Sequence, residues 1–241
     1  MGIRDAAPAL RPGGMVQTGA RVAGRGVGLL LGGLGGNAFF QIFFAAGAAS
    51  LFAGEYRWET WRLLTPRNSR LNLLLAKFLV YAAASAVTLV ALAAAAVLHT
   101  VYAALLGGHM PALNPGFAAP AAGVFLAGWA DVLVLGAFVA VIATASRAAT
   151  GALMAGICFS FAQGIAMAVV HPWDAPLRWY AALPGMDAYL LRAWAGGDAI
   201  APGIFADPAM VLPAALILLA WIALLTGAAL VRFQRQDLPR E

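Results

Sequence analysis

Apolar residues in this chain fall into long runs separated by short polar or basic segments. A helix that crosses a hydrocarbon core about 30 Å thick needs roughly 20 residues at 1.5 Å each, and five runs reach that length with few charges inside them. The runs are Val27–Gly54, Leu71–Leu106, Pro120–Ser146, Ala148–Val170 and Ala209–Val231. The pattern predicts an all-α, polytopic transmembrane helical bundle with five clear spans.

Composition supports this fold class and excludes an ordinary soluble domain. The 241 residues are 63% hydrophobic and 10% charged, with a mean hydropathy of +0.84, whereas soluble domains carry about 25% charged residues. The net charge of +5 would suggest nucleic acid for a soluble protein, but here the charges are sparse and sorted between loops. We therefore expect a lipid bilayer around the chain and no nucleic acid as a partner. The predicted divisions are a basic N-terminal segment (1–26), a transmembrane domain (27–233) and a tail (234–241).

Basic residues are concentrated on one side of the predicted bundle. The segment Glu55–Lys77, called the connector below, holds five of the 15 Lys and Arg residues. Together with Arg147 and the tail it gives nine basic residues on this side, against two on the other. Because basic loops stay in the cytoplasm, we expect an inner (cytoplasmic) membrane protein whose connector and C-terminus are cytoplasmic.

The N-terminal segment does not follow this rule. Residues 1–26 carry four arginines, yet a single span would place them opposite the connector. Either this basic segment is translocated, or a sixth helix, incomplete or shallow in the interface, covers about Val16–Gly36. The sequence leaves both interpretations open.

The connector itself predicts an amphipathic helix near residues 55–65 that lies on the cytoplasmic face of the membrane. At about 100° per residue, Glu55, Glu59 and Arg62 share one narrow face. Trp58 and Trp61 suit the level of the lipid headgroups.

A sharp turn is predicted after this helix. Pro66 ends the helix because it lacks a backbone donor and its ring blocks the preceding turn. Asn68 or Ser69 can then cap the next span through a side-chain oxygen. A short helix held by such a turn is a compact cytoplasmic projection.

The order of residues in the connector resembles the coupling helix of the type-2 ATP-binding-cassette exporter permeases. The residues that carry the resemblance are Glu55, Thr60, Leu63, Leu64, Pro66, Ser69, Arg70 and Lys77. The order of apolar runs from about Val27 to the end is also similar to that family, which normally has six spans. The resemblance implies a projection that fits a cleft on a separate ATPase subunit, so that closure of that subunit tilts the spans.

Site residues and partners follow from the same resemblance. The residues implied to contact the ATPase are Glu55, Trp58, Glu59, Thr60, Trp61, Arg62, Pro66, Ser69 and Arg70. The partners implied are an ATP-binding-cassette ATPase and a second permease subunit, identical or related. ATP and Mg would be bound by the ATPase, and this chain would hold no cofactor.

Enzyme motifs do not occur in the sequence. There is no G-x-x-x-x-G-K-[ST] phosphate loop, and H-E-x-x-H and G-x-S-x-G are missing too. The three histidines match no compact ligand spacing, so no metal site is predicted. We expect a chain that is not an enzyme by itself.

Asp131 lies near the middle of the third run, where insertion of a charged carboxylate costs about 2.5–3.5 kcal/mol. It either lines a translocation path or is a protonated or hydrogen-bonded residue that fixes packing. In the later loop, residues 171–208, aromatic residues at mixed spacing predict one or two short helices on the outer leaflet, or a simple aromatic belt.

Three functions follow, in order of preference. The first is a permease subunit that couples ATP hydrolysis by another subunit to export. The second is a membrane scaffold that assembles an envelope complex through the connector without transport. The third is an intramembrane enzyme that uses Asp131. The sequence does not identify the cargo.

Overall fold

The protein is a polytopic bundle of membrane helices. The structure, a computed structural model, describes residues 37–58, 69–107, 118–169, 182–197 and 207–236. Its helices are α1 (Ala38–Trp58), α2 (Arg70–Leu106), α3 (Ala118–Ser146), α4 (Ala149–Val169), α5 (Pro184–Gly196) and α6 (Pro208–Gln234). All but α5 are long and apolar enough to cross a membrane. The five predicted spans are therefore confirmed, and the first of them is described from Ala38 onward.

Side-chain caps fix several helix starts. The Ser69 hydroxyl accepts a hydrogen bond from the Asn72 amide at 3.2 Å, so Ser69 is the cap of α2. The Asp207 carboxylate accepts from the Ala209 amide at 2.9 Å, ahead of Pro208 at the first position of α6. Such caps satisfy amides that have no partner within the helix.

The central helix of the bundle is α3. It packs against every other described helix, and residues from its middle, among them Val132, Leu135 and Val139, are almost completely buried. Helix α2, by contrast, spans about 55 Å at 1.5 Å per residue and buries only a narrow stripe that includes Leu74, Tyr81 and Leu89. The rest of α2 faces outward.

The later loop contains a short helix, as one of its two interpretations predicted, and this helix is packed into the bundle. Residues 184–196 form this helix, α5, which packs against α3 and α6. Eight of its 13 residues are buried. The reason is local composition. The small residue Ala188 packs against Val134 of α3 and Leu218 of α6. Gly185 lies against Gln163 of α4, and the one basic residue of α5 has a partner within the bundle. The aromatic residues of 170–181 lie outside the described residues.

Polar side chains also tie α2 to α3. The Tyr81 hydroxyl donates to the Val132 carbonyl at 3.1 Å. The Trp129 indole donates to the Ala82 carbonyl and the Ser85 hydroxyl, each at 3.1 Å. In an apolar medium these bonds hold two helices that share little buried surface.

Gly136 allows this contact, and replacing it with alanine is expected to weaken the attachment of α2. A Cβ at this position would lie 2.7 Å from Cδ1 of the Tyr81 ring. Overpacking of this kind costs about 1–3 kcal/mol. The midpoint of unfolding in detergent should fall for Gly136→Ala but not for Gly164→Ala, where a Cβ meets nothing within 4 Å. Equal midpoints for both variants would contradict the contact.

Candidate functional site

The two flanks of the connector are joined by an ion pair. The Lys77 ammonium on α2 lies 3.1 Å from the Glu55 carboxylate on α1 and donates to the Leu51 carbonyl at 2.6 Å. Both side chains are largely shielded, at 10% and 26% exposure respectively. Two residues that carry the resemblance, 22 positions apart, are thus brought together inside the bundle.

This pair also explains where α1 ends. The sequence predicted that the first span stops at Gly54, before the charge of Glu55, but α1 continues to Trp58. A carboxylate is tolerated at this depth because Lys77 neutralises it. Residues 55–58, expected to begin a separate interfacial helix, are therefore the last turn of α1.

The start of α2 is bound to the C-terminal tail. The Arg70 guanidinium donates through Nη1 to the carbonyls of Gln234 at 3.3 Å and Gln236 at 2.6 Å. These carbonyls lie at and just beyond the end of α6, where helix carbonyls lack intrahelical partners. Arg70 thereby joins the connector to the last span.

Gln236 extends this contact to two further helices. Its side-chain oxygen accepts from the Tyr56 hydroxyl on α1 at 2.9 Å. Its side-chain nitrogen donates to the carbonyl of Thr144 near the end of α3. We call Tyr56, Arg70, Thr144, Gln234 and Gln236 the tail clamp; it joins the ends of α1, α2, α3 and α6 on the connector side.

The charge of this face is positive. Arg147 forms the turn between α3 and α4 with a left-handed backbone (φ 55°), and Arg232 and Arg235 lie at the end of α6. Among the described residues here, the one carboxylate is Glu55, which Lys77 neutralises. Unpaired positive charge at one end of a membrane bundle is typical of a cytoplasmic face.

The structure describes only part of the predicted contact set. Glu55, Ser69 and Arg70 have defined side chains, and each is used within the chain, in the ion pair, the helix cap and the tail clamp. The backbone of Trp58 ends α1. Outside the described residues lie Glu59, Thr60, Trp61, Arg62 and Pro66. Their contact with an ATPase stays a prediction.

A second polar group lies deep in the bundle. The Asp131 carboxylate on α3 accepts from the Gln41 amide on α1 at 3.2 Å and from the Arg192 guanidinium on α5 at 3.4 Å. Their exposures are 4%, 8% and 3%. We call these three residues the buried triad; it joins α1, α3 and α5 in the middle of the fold.

Sequence reasoning missed two members of the triad. Neither residue is among the site residues predicted from the sequence, and Arg192 is one of the two basic residues on the side opposite the connector. A signal was present, since Arg192 lies among small and apolar residues and Asp131 needs a cation nearby. The hydrogen-bonded interpretation of Asp131 matches this geometry, and its place on a translocation path stays a prediction.

An apolar groove of about 530 Å³ runs between α1 and α2 on the surface of the bundle. Its lining residues are Phe40, Phe43, Phe44, Gly47, Leu51, Val80, Tyr81, Ala84, Ser85, Thr88 and Leu92. The hydroxyls of Ser85 and Thr88 donate to carbonyls within α2, at 3.0 and 2.8 Å. The groove therefore presents mainly hydrocarbon to its surroundings.

Comparisons with protein-family models, with curated proteins and with solved structures find no significant match for this chain.

Proposed function

We propose that this chain is the membrane permease subunit of an ATP-binding-cassette transporter, which couples ATP hydrolysis by a separate subunit to export. The observation that carries this proposal is that the connector is fastened to the bundle at both flanks. Glu55 and Lys77 join α1 to α2, and Arg70 joins the start of α2 to the tail. Because the connector resembles a coupling helix, we infer that these contacts transmit its movement to the membrane spans.

Mechanical coupling needs such fastening. A flexible loop that binds an ATPase would move without moving the spans, whereas a loop clamped at both flanks transmits displacement to the helices it joins. The tail clamp extends this connection from α2 to α1, α3 and α6 through Gln236. A push on the connector would then reach four spans together.

The orientation that we propose follows from charge. The connector, the Arg147 turn and the tail lie on one side, rich in arginine, and this side would face the cytoplasm of an inner membrane. A second permease copy, identical or related, would complete a pathway, because a single bundle with a closely packed α3 encloses little space. ATP and Mg would be bound by the ATPase.

The test is co-purification through a C-terminal tag in a mild detergent, followed by mass spectrometry and an ATPase assay. We expect a protein with a Walker A motif at about one copy per permease, with hydrolysis. Reversing the charges in Glu59→Arg/Arg62→Glu, or deleting residues 58–64, should abolish its recovery while membrane insertion is unchanged. A matched control is Tyr102→Ala, a 63% exposed position at the far end of α2.

Two results would overturn the proposal. Recovery of the ATPase with the deletion variant would show that the connector is not its binding site. Clean recovery of the wild-type chain with other envelope proteins and no ATPase would instead identify a membrane scaffold, the second function that the sequence suggested.

A further inference from the structure

Asp187 lies in the first turn of α5, within the inserted part of the fold. Its exposed fraction is 0%, and neither carboxylate oxygen has a hydrogen-bond partner in the described part of the chain. The residues on either side of it in sequence enter two apolar clusters: Met186 packs with Ala214 of α6, and Ala188 packs with Val134 and Leu218. Asp187 is thus an acidic group in an apolar interface.

No described cation neutralises this carboxylate. The titratable groups on the helices that pack against α5, and on α5 itself, are Asp131, Cys158, Tyr189, Arg192, Asp207, Arg232 and Arg235. Arg192 faces α3, where it is paired with Asp131. Five residues of helix separate Asp187 from Arg192, a rotation of about 140°, so the two side chains leave α5 in different directions.

An ionised carboxylate without a partner is costly in apolar surroundings, and such a group takes up a proton instead. A metal ion is a poor alternative because it needs several oxygen ligands, and no group of three His, Cys, Asp or Glu residues that could hold a metal occurs among the described residues. Burial raises the pKa of Asp187 to about 8.

We propose that Asp187 is a proton-binding site: a proton on its carboxyl keeps the first turns of α5 inserted between α3 and α6, and release of that proton to water exposes them. This inference stands independently of the proposed transport function. An exposed aspartate releases its proton near pH 4, so the inserted state holds one proton more than the exposed state between pH 4 and 8. Insertion is therefore favoured at low pH and weakens as pH rises through about 8.

Infrared spectroscopy of the full chain in lipid nanodiscs measures the proton directly. A protonated carboxyl has a carbonyl stretching band that a carboxylate lacks. We expect a band at pH 6.5 that is lost by pH 9.5, since a group with a pKa of about 8 goes from roughly 3% to roughly 97% ionised over that range. The band should be missing from Asp187→Asn and present in Asp131→Leu/Arg192→Met, which removes the other buried carboxyl together with its cation. Its absence from the wild-type protein at pH 6.5 would overturn the proposal, because Asp187 would then be ionised and paired.

Thiol labelling tests whether the proton controls insertion. In a Cys158→Ser background, Met186→Cys places a thiol at a position with 0% exposure, and Trp194→Cys places one at a 53% exposed position of the same helix. Labelling of Met186→Cys by a water-soluble maleimide, divided by that of Trp194→Cys, should increase several-fold between pH 6.5 and 9.5. Adding Asp187→Asn should remove this increase. An unchanged pH dependence with Asp187→Asn would overturn the coupling of proton to insertion.

Discussion

Replacing Lys77 with methionine is expected to destabilise the protein by about 3 kcal/mol, near the lower end of the range of about 3–5 kcal/mol for breaking a buried ion pair. The variant leaves the Glu55 carboxylate shielded without its cation. It also removes the donor to the Leu51 carbonyl. The remaining 26% exposure of Glu55 is the reason to expect the lower end, because water can solvate part of that charge.

Chemical unfolding in detergent micelles measures this loss. The double variant Glu55→Gln/Lys77→Met should recover most of the stability, since removing both charges of a buried pair is often neutral. Leu79→Met, at a 71% exposed position two residues away on α2, serves as the matched control and should leave the midpoint unchanged. A double variant as unstable as Lys77→Met alone would mean that the lost hydrogen bond to the Leu51 carbonyl or the change in packing, and not the unpaired carboxylate, accounts for the effect.

The same pair has a consequence for coupling. If the connector transmits motion from an ATPase, Glu55→Gln/Lys77→Met should lower the hydrolysis measured per bound ATPase, because the connector remains while its fastening to α1 and α2 is weaker. Deletion of the connector, by contrast, removes binding itself. The two variants therefore separate contact with the partner from transmission into the membrane.

The spans could be predicted from the sequence because each is a long apolar run, and hydrophobicity over about 20 residues is sufficient to place a helix in lipid. Helices α2, α3 and α4 begin and end within two residues of the predicted runs. Ser69, one of two predicted caps of α2, is confirmed as its cap by its bond to the Asn72 amide. Hydrophobic runs and capping residues, which are both local in sequence, were therefore enough to predict the spans and the start of α2.

Long-range pairing could not be predicted in this way. The insertion of α5 depends on Arg192 meeting Asp131 across 61 positions of sequence, and the tail clamp depends on Arg70 meeting the carbonyl of Gln236 across 166. A single sequence gives the charge of such residues but not their partners. From the sequence alone, the loop is therefore expected to be an interfacial segment and Glu55 a surface residue. In the structure Arg192 of that loop is paired with Asp131, and Lys77 lies beside Glu55.

The polar groups of the bundle lie at two depths. The Glu55–Lys77 pair and the tail clamp hold the connector side, whereas the buried triad holds α5 against α1 and α3 deeper in the fold. Helix α3 belongs to both levels, through Thr144 and Asp131. Helix α1 also belongs to both levels, through Tyr56 and Gln41, and α6 carries part of the tail clamp and packs against α5. A displacement at the connector can therefore reach α5 through several helices, and the triad is the polar contact that makes α5 move with α1 and α3.

Replacing Arg192 with methionine is therefore expected to have the second large effect, a loss of about 3–5 kcal/mol. Asp131 would keep only the Gln41 amide as a partner at 4% exposure. Asp131→Leu/Arg192→Met should return close to wild-type stability in detergent unfolding, because neither charge is then left buried alone. Trp194→Leu, an exposed position on the same helix, should change little.

The activity of the double variant distinguishes the two interpretations of Asp131. The geometry favours a packing role, since both partners of Asp131 are protein side chains buried with it. We therefore expect Asp131→Leu/Arg192→Met to retain ATPase association and stimulated hydrolysis, while Arg192→Met loses both with its stability. A double variant that is stable and binds the ATPase but no longer stimulates hydrolysis would contradict the packing role. The carboxylate would then belong to the transport cycle, and the cation on α5 would be the group that it meets there.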